Sequence, residues 1–187
     1  MTTKKQEKIK FSKAFWVANT VELFERAAYY GVFIVITLYL SRILGFSDRA
    51  GDNALFSACL YLLPTFAGAL ADKIGFRNSM LLAFTLLTCG YLGLAVYPTW
   101  LQSAGLVEYS TTTTFTGLLE SNLQYGIIPI MALIVCGGAF IKSVISGTVA
   151  KETTPETRAK GFSIFYAMVN IGAFSGKTIV KPLREAL

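Results

Sequence analysis

The sequence predicts an all-α membrane protein with about five transmembrane helices. Two observations carry this expectation. The 187-residue chain is 53% hydrophobic and 15% charged, with a mean hydropathy of +0.54, a balance that suits lipid better than water. Apolar stretches also recur at the length, roughly 20 residues, that a helix needs to cross a hydrocarbon core of about 30 Å. The expected spans are 15–40, 54–71, 79–97, 127–150 and 161–180, behind a basic cytoplasmic arm at 1–13.

Taken in order, Ser12 or Lys13 opens the first helix, and 45–52 forms a short outer turn before the second. Ala71-Asp72-Lys73-Ile74-Gly75-Phe76-Arg77 is a tight inner loop, and Pro98 is expected to stop the third helix. The polar segment Thr99 to Gln124, with its run Thr111-Thr112-Thr113-Thr114, reads as an outer surface loop with room for short helices. The fourth helix leads through the linker Lys151-Glu152-Thr153-Thr154-Pro155-Glu156 into the fifth.

The net charge of +6 does not mark a nucleic-acid binder, because the basic residues sit at helix ends rather than on one solvated face. With an intracellular start, Lys4, Lys5, Lys8, Lys10, Lys13, Lys73, Arg77, Lys151, Arg158 and Lys160 all fall on the inner side. Arg42 and Arg49 alone precede the last span on the outer side, so the positive-inside rule places the amino terminus in the cytoplasm. Lys177, Lys181 and Arg184 at the outer end of the fifth span depart from the pattern. The first span is too long for the core of a cleavable signal peptide. Cys59, Cys89 and Cys136 lie in different apolar segments and the chain has no histidine, so zinc sites, haem attachment and His-based triads are not expected. The cysteines read as small packing residues.

The first helix carries charges where the bilayer tolerates few. At about 100° per residue, Glu22, Glu25, Arg26, Tyr29, Tyr30 and Phe33 share a stripe about 140° wide, with Asn19 and Thr37 in the same arc. Lys142 is the other cation well inside a span. A charge at mid-membrane costs about 2.5–3.5 kcal/mol, so these groups are expected to be paired or wet. Glu22 and Arg26 stand in the favourable i, i+4 order, which leaves Glu25 to seek another cation, Lys142. Two carboxylates against Arg26 and Lys142 sum to zero. Protonating one carboxylate leaves a positive site that attracts an anionic substrate group, so proton and substrate favour each other's binding. A static ion-pair network that only fixes helix packing is the alternative.

Counted in threes, as in transporters built from three-helix repeats, helices one and four occupy equivalent positions, and they are the two that carry these charges. A sixth helix would complete a second repeat. Weaker signals are Tyr61, ahead of Pro64 and Gly68 in the second helix, and Tyr166 with Asn170, i and i+4 in the fifth. Gly172 and Gly176 form a small-xxx-small pair suited to helix packing.

At these residues the chain resembles the proton-dependent oligopeptide transporters of the major facilitator superfamily. The first-helix signature E-x-x-E-R followed by F-x-Y-Y-G is met by Glu22-Leu23-Phe24-Glu25-Arg26-Ala27-Ala28-Tyr29-Tyr30-Gly31. The fifth-helix signature F-Y-x-x-I-N-x-G is met by Phe165-Tyr166-Ala167-Met168-Val169-Asn170-Ile171-Gly172. The superfamily's inner-loop motif matches Gly68-Ala69-Leu70-Ala71-Asp72-Lys73-Ile74-Gly75-Phe76-Arg77, and Lys142 aligns with the fourth-helix lysine. Ala27 stands where the family has phenylalanine, and Ser143 where proline usually follows that lysine.

The resemblance implies the incomplete amino-terminal half of a major facilitator helical bundle, multi-pass in the cytoplasmic membrane, with the carboxy-terminal half absent. It implies proton:peptide symport of di- and tripeptides by the full-length protein, driven by the proton gradient without a cofactor or metal. Glu22, Glu25, Arg26 and Lys142 would serve proton coupling. Arg26, Tyr30, Tyr61, Lys142, Tyr166 and Asn170 would contact the substrate, and Gly68, Asp72, Lys73, Gly75 and Arg77 would form a gating loop. The partners implied are a small peptide, protons, the lipid bilayer and the second half, with no nucleic acid. On its own the chain is not expected to transport, since alternating access needs two halves. The alternatives are a carrier of a non-peptide anion or drug and a truncated, non-transporting membrane protein. An intramembrane enzyme using Ser143 beside Lys142 is disfavoured, because adjacent helical residues point about 100° apart.

Overall fold

The computed structural model describes residues 10–46, 54–109, 115–116 and 122–185, without the side chains of 37–38, 41–42, 54–62, 109, 115–116 and 183–185. Lys4, Lys5, Lys8, the turn residues Ser47 to Asp52 and Thr111 to Thr114 lie outside the described residues, as do the side chains of Arg42, Cys59, Tyr61 and Arg184.

Five long helices account for most of what is described. They are α1 (Lys13–Leu38), which runs on into a π-helical turn at Tyr39–Ile43, α2 (Ala54–Ile74), α3 (Phe76–Ser103), α4 (Ile127–Lys151) and α5 (Arg158–Glu185). The shortest has 21 residues, roughly 31 Å at 1.5 Å per residue. Among the described residues, Phe76–Ser103 and Leu123–Lys151 are long and apolar enough to cross a membrane. The polar segment between α3 and α4 holds a two-residue antiparallel ribbon, β1 (Glu108–Tyr109) with β2 (Phe115–Thr116), and a 3-10 turn at Leu123–Gly126.

α4 is the central pillar, in contact with α1, α2, α3 and α5. Its sequence is apolar nearly all round, and its buried residues, Ile134, Val135, Phe140, Ile141, Val144 and Ile145 among them, cover more than one face, as a helix surrounded by others requires. α1 packs chiefly on α5, α3 and α2 chiefly on α4. Small residues set these distances. A Cβ on Gly172 of α5 would collide with the Leu23 carbonyl and the Arg26 Cβ of α1, and one on Gly176 with the Ala27 carbonyl. Gly90 and Gly93 of α3 receive Ile134 and Ile130 of α4, while Gly137 of α4 rests on Ala83 and Leu87. Without a hydrophobic driving force between helices in lipid, such close backbone approach is how they gain contact.

The ends follow local chemistry. Ser12 caps α1, its Oγ accepting from the Phe15 amide at 3.1 Å and donating to Glu152 beyond the end of α4 at 2.6 Å. Gly75, at φ +85°, makes the one-residue break between α2 and α3.

Pro98 does not stop the third helix, which continues to Ser103. A helical proline leaves the carbonyl four residues back without its amide donor. Here that carbonyl belongs to Leu94, and the Tyr39 hydroxyl from the π-helical turn donates to it at 2.7 Å. The Tyr97 hydroxyl likewise donates to the Leu123 carbonyl, tying the continued helix to the start of α4.

Gly176→Leu should therefore lower stability by about 1–3 kcal/mol, read as a reduced midpoint of thermal unfolding in detergent. Tyr39→Phe, which leaves the Leu94 carbonyl unpaired, should cost about 1 kcal/mol in the same assay.

Candidate functional site

The polar stripe of α1 turns inward, to where that helix meets α4 and α5. Asn19 is 0%, Glu22 2% and Glu25 9% exposed, and the Arg26 side chain is mostly buried with them. Arg26 holds both carboxylates. Its Nε lies 3.3 Å from Glu22 Oε1, and its Nε and Nη2 both lie 2.5 Å from Glu25 Oε2. The expected Glu22–Arg26 pair is present, but Glu25 does not turn elsewhere for its closest cation. A guanidinium presents several donors, so one arginine serves two acids. Its Cζ also lies 5.1 Å from the centre of the Tyr29 ring.

Two groups from other helices complete the electrostatic surroundings. Lys142, half-buried on α4, is close enough for its charge to be felt by both Glu22 and Glu25. Tyr91 of α3 interacts electrostatically with Glu25, Arg26 and Tyr29. Sequence reasoning missed Tyr91. Its signal was a hydroxyl-bearing ring in mid-span of an apolar helix, a pattern that packing tyrosines share. Tyr91 also lines an open, mostly apolar groove of about 360 Å³ between α1 and α3, with Val32, Val35, Ile36, Tyr39 and Leu94.

Two buried oxygens of the stripe lack a hydrogen-bond partner among the described residues. Asn19 donates its amide Nδ2 to the Phe15 carbonyl at 2.8 Å, which fixes the amide orientation and leaves Oδ1 unpartnered. Glu22 Oε2 is the other.

The remaining expected residues are dispersed. Tyr30 follows Arg26 by one turn, with Lys177 Nζ of α5 placed 5.0 Å from its ring centre. Of Tyr61 only its place in α2 is described. Tyr166 and Asn170 lie on the exposed side of α5, not on the glycine face that meets α1, and so do not join the cluster. Tyr166 packs on Phe162 and Phe165. At the α2–α3 turn, Asp72, Lys73, Gly75 and Arg77 are exposed, while Gly68 faces Ser143 of α4. Asp72 borders an open groove of about 460 Å³ with Gly68, Ser143, Gly147 and Phe162. Ser143 Oγ donates to the Pro64 carbonyl at 2.6 Å, fastening α2 to α4. Among the described residues no group of three or more Cys, Asp or Glu side chains is placed to hold a metal ion.

No family model and no solved structure matches the chain. Curated relatives do. Dipeptide and tripeptide permease A of Salmonella typhi and that of Salmonella typhimurium are each 32% identical over 171 residues, 87% of this chain and 29% of the relative. Dipeptide and tripeptide permease A of Serratia proteamaculans is 30% identical over 170 residues, 87% of this chain and 28% of the relative. The chain thus spans less than a third of the length of these relatives, and the matched stretch is amino-terminal. Over that stretch the chain is a homologue of the dipeptide and tripeptide permeases, in line with the oligopeptide-transporter resemblance carried by its motifs.

Proposed function

We propose that this chain, as part of a full-length transporter, serves proton-coupled symport of di- and tripeptides across the cytoplasmic membrane. All five helices span, with the amino terminus cytoplasmic, and form the first part of the amino-terminal half of a major facilitator bundle. The observation that carries the reading is the buried Glu22–Glu25–Arg26 triad of α1, with Lys142 electrostatically beside it. Intramembrane ionisable groups of this kind mark proton and substrate pathways by default. The permease names of the relatives supply the substrate class.

The coupling follows from charge. With both acids ionised the four groups sum to zero. A proton on one carboxylate leaves the site at +1, which favours the carboxylate of an entering peptide. A bound peptide carboxylate in turn raises the site's affinity for the proton, as linkage requires. Arg26, Lys142 and Tyr30, together with Tyr61 of α2, would contact the substrate, and the exposed face of α5 with Tyr166 and Asn170 lines the path shared with the rest of the transporter. Asp72, Lys73 and Arg77, exposed around the Gly75 break, form contacts that make and break as the halves rock. Recognising the main-chain carboxylate rather than side chains suits a carrier of many peptides.

Proton-driven uptake of a labelled dipeptide by the full-length protein in vesicles should be lost in Glu25→Gln and Lys142→Ala. Unchanged uptake in both would overturn the coupling role, and uptake of nitrate or another anion in place of peptide would move the substrate class. Arg26→Leu strips both buried acids of their closest partner and should destabilise the protein by about 3–5 kcal/mol. Thermal unfolding in detergent should show that deficit shrinking at acid pH, where neutral carboxyls need no cation, and shrinking also in Glu22→Gln/Glu25→Gln/Arg26→Leu.

A further inference from the structure

Lys177 and Lys181, late in the fifth helix, depart from the charge pattern of the rest of the chain, and the packing of α5 on α1 places the first of them. Gly172 meets Leu23, Gly176 meets Ala27 and Val180 meets Gly31, three pairs at one constant sequence offset, so the two helices run parallel and in step. Arg26 lies beside Gly172, which puts the Lys177 backbone about 7.5 Å further along, five residues at 1.5 Å each. That is still inside the long apolar segment, where an ammonium is costly unless it is paired or wet. Its Nζ turns toward α1 and lies 5.0 Å from the centre of the Tyr30 ring, one turn after Arg26. The ring takes one side of the ammonium and leaves donors for an acceptor on the other. Lys177 is exposed, and no carboxylate of the described residues lies within ion-pair distance of it.

The face from which Lys177 projects is largely polar along the whole helix. At about 100° per residue, Ser163, Tyr166, Asn170, Phe174, Lys177 and Lys181 fall in an arc about 80° wide, and every one of them is exposed. The exposed surface beside that arc carries Ile171 and Ile179. An apolar strip next to a polar one suits a helix with lipid on one flank and a wet path on the other.

We propose that Lys177 is a specificity-determining residue, a second carboxylate subsite beyond the Arg26 cluster that takes the acidic side chain of an aspartyl or glutamyl peptide. This rests on the peptide-transport reading above, in which Arg26 and Lys142 receive the main-chain carboxylate. Two residues of extended chain reach about 7 Å, so a dipeptide anchored at Arg26 brings a side chain to the level of Lys177. An acidic side chain there gains a charge-assisted hydrogen bond. A neutral one leaves the ammonium to water and the Tyr30 ring, and a basic one meets a like charge.

The test is uptake of alanyl-alanine, glutamyl-alanine and lysyl-alanine by the full-length transporter in vesicles, at one pH and one membrane potential, with Lys177→Ala, Lys177→Arg and Lys177→Glu. The quantity read is the ratio of apparent KM values between peptides, which a smaller amount of folded protein does not move. Lys177→Ala should lower the preference for glutamyl-alanine over alanyl-alanine about tenfold, the scale of one hydrogen bond to a charged group. Lys177→Arg should keep that preference, and Lys177→Glu should reverse it in favour of lysyl-alanine. Should Lys177→Ala fail to fold, Lys177→Gln, which keeps much of the length and loses the charge, should give the same loss. Equal changes for all three peptides, or none, would overturn the Lys177 assignment and leave peptide transport standing. Absence of uptake of every peptide by the unaltered protein would overturn both.

Discussion

Arg26 is the constraint on which the site and its surroundings depend. Two carboxylates three residues apart on one helix, both buried, would repel one another and each would forfeit its hydration. A guanidinium reaching both makes the arrangement tenable, with Glu22 Oε1 at 3.3 Å and Glu25 Oε2 closer still. Burial of this kind has to be supported from outside α1. Gly172 admits the Leu23 carbonyl and the Arg26 Cβ, so α5 closes over the triad at backbone distance instead of leaving a channel for lipid or water along that flank. The same glycine pair that brings the helices together is what keeps the charges dry enough to matter electrostatically.

The other half of the support comes from α4. Its apolar surface takes α2 and α3 through close contacts at Gly68, Gly90, Gly93 and Gly137, and its one mid-helix cation, Lys142, is felt by both acids. Ser143, where a kinking proline stands in similar transporters, leaves α4 as an uninterrupted helix from Ile127 to Lys151. Its hydroxyl is then available to bind the Pro64 carbonyl of α2. The bend-producing residues lie instead in the partner helices, Pro64 in α2 and Pro98 in α3.

Sequence showed the helices and the charged stripe because both are periodic properties of one segment. The phase of Glu22, Glu25 and Arg26 fixes their shared face before any partner is known, and the glycine spacing at 172 and 176 announces a close crossing. What stayed hidden depends on a second segment. Nothing in the run around Pro98 reveals that the Tyr39 hydroxyl, 55 positions away along the chain, satisfies the Leu94 carbonyl and lets α3 continue. Pairing order was hidden too, since i, i+4 geometry favours Glu22–Arg26, whereas the adjacent Glu25 makes the shorter contact once helix packing limits the rotamers. Tyr91 comes within electrostatic reach of Glu25 only because separate helices pack together, and Tyr166 and Asn170 share a face that the crossing at Gly172 turns away from the triad.

The sharing of Arg26 has a consequence for how the site can change state. If each acid had its own cation, neutralising one would strand a buried positive charge, a penalty of several kcal/mol that would oppose protonation. With one guanidinium between two acids, neutralising Glu22 leaves Arg26 still paired to Glu25 through two nitrogens. The surplus positive charge then belongs to the site as a whole, with Lys142 contributing, and is not buried against a single orphaned partner. On the proposed reading this is why two acids are needed for one transported charge. Glu25 keeps Arg26 in place through the cycle, and Glu22, whose Oε1 lies at the longer distance of 3.3 Å from Arg26, is the acid that can change its protonation without dismantling the helix pair that encloses it.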